Sequence, residues 1–364
     1  MLNDRALSEV RRAIALDPNS ASGYSTLADI LNFQGKHSEA LAAAAKATRL
    51  DPRNSLYYIY LQGQAYMGLE RWQEAIPPLK VYVGRYPDNL WPHAWLALCY
   101  FNLRDHDSAE AEVAQLERIA ALNPSALAYS LQAGILSWLG RPTEALAAVA
   151  RGMRFDPQNP WIIWTQGWAY IQLGEWESAL SAWQLLLRLY PENIGAHASV
   201  AGVYSALGQM DDARREAAEV ERAVALDPDT TYGYRFLAMA LNAAARPSEA
   251  LAAATKAMRL YPTSGAFPPY PECDQGRAYT QLGRWNEAVR SLTSCLERHQ
   301  TDQTMPRVAL AVDYIELGQE DAARAEAAEI VRLNPEFSLK MALEGGFPTQ
   351  RERAASDLSE AGLN

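Results

Sequence analysis

Residues 23–52 (GYSTLADILNFQGKHSEALAAAAKATRLDP) align without a gap on residues 233–262 (GYRFLAMALNAAARPSEALAAATKAMRLYP), identical at 18 of 30 positions. The offset, 233 − 23 = 210, is six units of 35, and residues 128–157 follow the same script. A chain that repeats itself at this period does not build one central core. Each unit buries its apolar face on its neighbours, and the expected product is a solenoid.

Prolines punctuate the units at Pro18, Pro52, Pro87, Pro124, Pro157, Pro191, Pro228, Pro262 and Pro335. Their spacings are 34, 35, 37, 33, 34, 37, 34 and 73, the last spanning two units. Every third unit has a longer second helix, which gives the 37-residue gaps and a super-period near 105. Within each unit two apolar segments of helical period are split by a short turn, such as Leu173-Gly174-Glu175 or Leu317-Gly318-Gln319.

A small residue recurs inside the first segment at Ala28, Gly63, Ala97, Ala133, Gly167, Ala201, Ala238, Gly276 and Ala311. Three positions on stands a large one: Leu31, Tyr66, Tyr100, Leu136, Tyr170, Tyr204, Leu241, Tyr279, Tyr314. An alanine returns in the second segment, from Ala40 and Ala75 through to Ala322. Small side chains let antiparallel backbones approach closely, and the large residue one turn on fills the adjoining groove.

This small–large–small–Pro pattern resembles the tetratricopeptide repeat. The resemblance covers residues 21–335 as nine consecutive units. It implies an all-α, right-handed solenoid of about nine helix–turn–helix repeats with a C-terminal capping helix. Residues 1–20 read as a half-repeat, a second helix without its first, whose Val10, Ala13, Ile14 and Leu16 cap the stack. That open start predicts an upstream continuation of the gene or contact with another protein. Residues 336–364 read as the cap at the other end, with a helix over about 350–360 started by a Thr349/Glu352 capping box and stopped by Gly362. The wording Asn334-Pro335-Glu336-Phe337-Ser338-Leu339, followed by Leu358 and Ala361-Gly362-Leu363, is similar to the ending of bacterial signalling proteins. In those, a tetratricopeptide region follows a class III nucleotide cyclase or a winged-helix DNA-binding domain. Ser359 and Asn364 depart from that ending, and no cyclase or DNA-binding activity carries over.

Net charge is −10 and no stripe of Lys and Arg is present, which argues against nucleic acid as a partner. No apolar run approaches 18 residues, so no membrane span is expected. Cys99, Cys273 and Cys295 are far apart in sequence and read as reduced thiols of a cytoplasmic protein. The five histidines (His37, His93, His106, His197, His299) show no metal-ligand spacing. His93 and His197 hold equivalent places three repeats apart, where packing plus a hydrogen bond explains them. No phosphate loop, nucleophile elbow or zinc motif is present, and neither an enzyme nor a cofactor is expected.

In the resembled architecture the first helices line the concave side, where partners bind. Projecting them inward gives Tyr57, Tyr60 and Gln64; then Trp91, Trp95, Leu98 and Phe101; then Leu127, Leu131 and Trp138. Trp161, Trp164, Trp168 and Ile171 follow, then Tyr232, Arg235, Phe236 and Met239, and last Tyr270, Asp274 and Arg277. Trp161, Trp164 and Trp168 fall at i, i+3, i+7, one stripe along one helix face. Such a stripe packs on the neighbouring helix or faces the groove. Gly167 and Tyr170 on the packing side favour the groove. Trp72, Trp176 and Trp285 recur at the start of second helices and read as structural. The Lys/Arg/Asn clamp with which relatives hold acidic chaperone tails is missing, because Ser25, Asp29, Tyr60, Leu61, Trp91 and Trp95 stand in its places.

The expected function is therefore non-catalytic binding of a protein or peptide with an apolar or aromatic segment. The alternatives are a self-associating scaffold joined through the N-terminal half-repeat, and a small-ligand receptor that uses the aromatic groove.

Overall fold

The computed structural model describes residues 2–226, 233–260, 270–298, 304–333, 337–346 and 351–363, and among these it contains twenty-one α-helices and no strand. Helix α1 (Leu2–Leu16) is followed by nine helix pairs. They are α2/α3 (Ala21–Phe33, His37–Leu50), α4/α5 (Ser55–Gly68, Trp72–Arg85) and α6/α7 (Leu90–Asn102, His106–Leu122). Next come α8/α9 (Ala126–Trp138, Pro142–Gly152), α10/α11 (Pro160–Gln172, Trp176–Leu189) and α12/α13 (Ile194–Ala206, Met210–Leu226). The last pairs are α14/α15 (Gly233–Ala243, Pro247–Leu260), α16/α17 (Pro271–Gln281, Trp285–Arg298) and α18/α19 (Thr304–Glu316, Glu320–Leu333). Two short helices, α20 (Leu339–Gly346) and α21 (Arg351–Glu360), end the chain. The described residues fall into two compact units, the first ending at Ile135 and the second beginning at Leu136.

One backbone device makes every pair. The chain leaves each first helix through a residue of positive φ: Gly35, Glu70, Arg104, Gly140, Gly174, Gly208, Ala245, Gly283 and Gly318. The next residue's N–H then donates to the carbonyl of the large residue five positions back, as in Glu175 to Tyr170 (2.9 Å) and Arg246 to Leu241 (2.9 Å). Orphan carbonyls at the helix end are satisfied, and the chain is turned back on itself.

The recurrent small residues sit at the closest approach of each pair, and Ala28, Ala97, Ala133, Ala201, Ala238 and Ala311 are fully buried. Glycine replaces alanine there in the second, fifth and eighth pairs, where the opposing residue is large. A Cβ on Gly63 would lie 3.0 Å from the Leu79 side chain, and one on Gly276 2.5 Å from that of Leu292. On Gly167 it would be 2.4 Å from the Trp183 ring. Volume added on one helix is removed from the other, at constant packing density.

The super-period has a physical counterpart. α7 and α13 run for 17 residues, against 14 for α3, α5, α11, α15 and α17. Successive first helices also touch one another directly, as α12 does α14 and α14 does α16, more than successive second helices do. First helices thus crowd one face of each unit, and second helices splay on the other.

Two expectations are corrected. Cys273 on α16 and Cys295 on α17 are joined as a disulfide, with Cα atoms 5.3 Å apart; Cys99 is free and buried. Twenty-two residues of sequence look distant, but in a helical hairpin they place two positions face to face. The inference of a cytoplasmic setting from reduced thiols loses its premise, because disulfides persist in oxidising compartments. On α1, Ala13 and Leu16 are exposed, and Leu7 is the buried anchor instead. At the C-terminus α21 matches the expected helix, and Gly362 turns at φ +94. Thr349 lies outside the described residues. Helix α20 was not anticipated. No helix among the described residues is long and apolar enough to cross a membrane.

Candidate functional site

The aromatic residues of the first-helix faces form one cluster in each unit. In the first, Tyr57 and Tyr60 lie on α4, one turn apart, with ring centroids 6.2 Å apart. Tyr60 stacks against Tyr82 of α5 (4.8 Å), which in turn meets Tyr86 (5.0 Å). The Tyr60 hydroxyl accepts from Trp95 Nε1 on α6 and from Gln64 Nε2, both at 3.2 Å. Trp95 stacks on Trp91 (5.4 Å). Burial pushes the Tyr60 phenol up to about 12, and burial with the nearby Asp29 carboxylate does the same to Tyr57. The outer rings stay open: Tyr57, Tyr86 and Trp91 are all exposed. Phe101 is half-buried and meets His106 edge-on.

In the second unit the expected tryptophan stripe divides. Trp161, at the start of α10 behind an Asn159 cap, is 68% exposed. Trp164 and Trp168 are half-buried around the Trp183 ring of α11, at 6.1 and 5.7 Å. Trp164 also reaches Phe236 of α14, edge-on at 6.3 Å, across α12. Gly195 of α12 makes the crossing possible, since a Cβ there would stand 2.8 Å from the Trp164 ring. Two rings of the stripe therefore pack on the neighbouring helix, and the first is exposed.

Other expected residues fall differently. Trp138, Leu131 and Met239 are half-buried and Leu127 is exposed. Tyr270, Leu98, Arg235 and Asp274 are buried, so they offer no open face to a partner. Tyr232 lies outside the described residues. Sequence reasoning missed Tyr82 and Trp183, on second helices, and Tyr86, the residue just past the end of α5. Their signal was the i, i+4 spacing of the two tyrosines and the placement of Trp183 opposite Gly167.

The polar groups are structural. His93 donates from Nδ1 to Glu112 (2.6 Å) and from Nε2 to the Pro87 carbonyl (2.9 Å). His197 repeats this with Glu216 (2.5 Å) and Pro191 (2.9 Å). In the ninth pair Arg307 takes the same place against Glu326 (2.5 Å). Burial opposes charge on both rings, but carboxylate and carbonyl outweigh it and raise both pKa values. Each histidine thus staples the loop before a first helix to the second helix of its own pair. Trp72, Trp176 and Trp285 open α5, α11 and α17, and Trp176 is buried. Among the described residues no group of three or more His, Cys, Asp or Glu could hold a metal ion.

Family models of the tetratricopeptide repeat match residues 3–55 and 60–124, 163–193, and 275–305. Solved structures of similar fold include yeast Tom70 (14% identity, 97% of this chain and 85% of that one, TM-score 0.44). Another is a tetratricopeptide repeat protein from Parabacteroides merdae (13%, 75% and 98%, 0.44). A third is the APC/C hetero-tetramer Cut9–Hcn1 (13%, 99% and 93%, 0.46). No curated protein matches in sequence.

Proposed function

We propose that this chain of tetratricopeptide repeats is a protein-interaction module that holds an apolar or aromatic segment of a partner on its first-helix faces. The observation that supports the reading most is Trp161. A large ring left 68% open, on the same helix as two seated tryptophans, has the character of an interaction anchor. Its neighbours Trp164 and Trp168 are held by Trp183, so little rotamer entropy remains to be lost on binding. In the first unit Tyr57 and Trp91 have the same character, open rings on a hydrogen-bonded base. The test is capture from a lysate of the source organism with the full chain as bait, beside Trp161→Ala. The variant should melt with the parent and lose the captured protein. Unchanged capture by Trp161→Ala together with Tyr57→Ala and Trp91→Ala would overturn the reading.

A second reading, self-association through α1, has support in Leu16, which is 82% exposed at the end of that helix. Sedimentation over a hundredfold range of concentration separates the two. A constant monomer mass removes self-association.

A further inference from the structure

The first-helix face of the second unit carries a segment of its own chain. Helix α20 packs on α18, and it also packs on α12, the first helix of the sixth pair. Its Met341 reaches the turn after α10. There the methionine Cε, Cγ and Sδ stand 3.1, 3.2 and 3.4 Å from the place a Cβ on Gly174 would take. The segment's other contacts belong to the end of the stack. Ala342 and Phe337 are buried, and Leu339, Met341 and Leu343 pack with Val308, Ala311 and Val312 of α18.

Covering the ninth pair explains the contacts with α18 and α19. It does not require a helix that extends to α12 and to the turn of the fifth pair. α20 is eight residues long and ends in Gly345-Gly346, too short to hold helical form in water without docking. Its order is therefore supplied by the face it lies on. What that face accepts is shown by what occupies it: a short helix of Leu, Met and Ala. Methionine suits such a place because its flexible thioether adapts to an irregular surface.

We propose that α20 is an internal ligand of the first-helix face of the second unit, and that a partner's short Leu/Met-bearing amphipathic helix binds there by displacing it. The proposal rests on the reading of this face as a docking surface. It adds the chemistry of the partner, a helix laid into an apolar groove. It also adds a gate, since the partner's apparent affinity falls by the fraction of molecules in which α20 is away.

Two variants of the full chain approach the contact from opposite sides. Gly174→Asn keeps a left-handed backbone, which asparagine tolerates, and fills the place of Met341. Met341→Asp makes the same contact unfavourable from α20. Neither replaces Trp161, Trp164 or Trp168. Hydrogen exchange of the parent should show α20 amides slowed at least about tenfold relative to a free peptide of residues 337–346. In both variants that protection should vanish, while α18, α19 and α21 keep theirs. The labelled peptide, titrated to about 1 mM, the effective concentration of a short tether, should bind both variants at least about tenfold tighter than the parent. Free exchange of α20 in the parent, protection that survives both variants, equal peptide binding, or no binding to any of the three would each overturn the proposal. Capture from lysate that is identical for parent and Gly174→Asn removes the gate but leaves the docking surface. Capture indifferent to Trp161→Ala removes the docking surface, and the exchange data still report where α20 lies.

Discussion

The second and fifth pairs are the same construction 104 residues apart (167 − 63), yet their inner rings lean on different neighbours. Tyr57 corresponds to Trp161, Tyr60 to Trp164, Gln64 to Trp168, Leu79 to Trp183 and Trp91 to Gly195. In the first unit Trp91 and Trp95 on the next first helix form a wall. Tyr60 stands against it and bonds to it through its hydroxyl. In the second unit Gly195 removes the wall, and Trp164 leans across to Phe236. Which neighbour a ring at this position packs against is thus decided by the residue one first helix further on. Its own place in the repeat does not decide it.

The comparison breaks most sharply at the base of the second cluster. Trp183→Ala should destabilise by about 3–5 kcal/mol, because the ring is 1% exposed and Trp164 and Trp168 rest on it. Leu79→Ala, its counterpart, should cost about 2–5 kcal/mol but leave Tyr60 tied to Trp95 and Gln64. Urea unfolding gives both values, and near-ultraviolet dichroism should change far more for Trp183→Ala. Equal spectral change would mean that the first cluster depends on Leu79 as the second does on Trp183.

Next in size is the wall itself. Gly195→Leu should push Trp164 off Phe236 and cost about 1–3 kcal/mol by overpacking. Trp91→Ala removes a ring that is 38% exposed and should cost less than about 2 kcal/mol, with the Tyr60 phenol still titrating near 12. If Tyr60 falls to an ordinary value, Trp91 rather than the helix pair was burying it.

The histidine staples occupy equivalent places in the two units and sharpen the comparison by pH. Both folded rings have raised pKa values, so each contributes stability that is complete below the ordinary histidine value of about 6.5 and is lost as pH rises through the folded value. Glu112→Gln and Glu216→Gln should each remove on the order of 1 kcal/mol at pH 6 and flatten the decline above it. The His93 side chain is 4% exposed and that of His197 17%, so the Glu112 variant should lose more. Equal losses, measured as urea midpoints from pH 5.5 to 8.5, would show that burial does not set the strength of the staple.

Nearly all of the fold was legible in the sequence because a repeat reports its own geometry many times over. The small residue, the large one three later and the closing proline each recur in phase, and the helices fall where that phase puts them. The site was legible only as a set of helices. The projection gave Trp161, Trp164 and Trp168 one direction, but where Trp164 packs depends on Trp183, Gly195 and Phe236, three residues on three other helices. A helical wheel carries no such information. The cysteine pair failed for the related reason that distance along a hairpin is not distance across it. Helix α20 was missed because it is only eight residues long and lies outside the period, although Ser338 caps it and residues 339–344 are good helix formers. Its partners α12 and Gly174 lie far back in the chain.

The smallest expected effect tests whether the two units differ in anything besides ring packing. Six of the nine turns place glycine at positive φ, while Arg104 in the first unit and Ala245 in the second hold the same conformation with a side chain, at φ +61 and +57. A left-handed conformation costs a non-glycine residue about 1–2 kcal/mol, and glycine gives back about 0.4–1 kcal/mol through the freedom it adds to the unfolded chain. Arg104→Gly and Ala245→Gly should therefore each stabilise by about 0.5 kcal/mol, and the two should add in the double variant because each closes the turn of a different helix pair. If the scaffold is one design used twice, the gains are equal. A gain confined to one unit would place part of the difference between the clusters in the backbone, and the wall formed by Trp91 and Trp95 would no longer account for it alone.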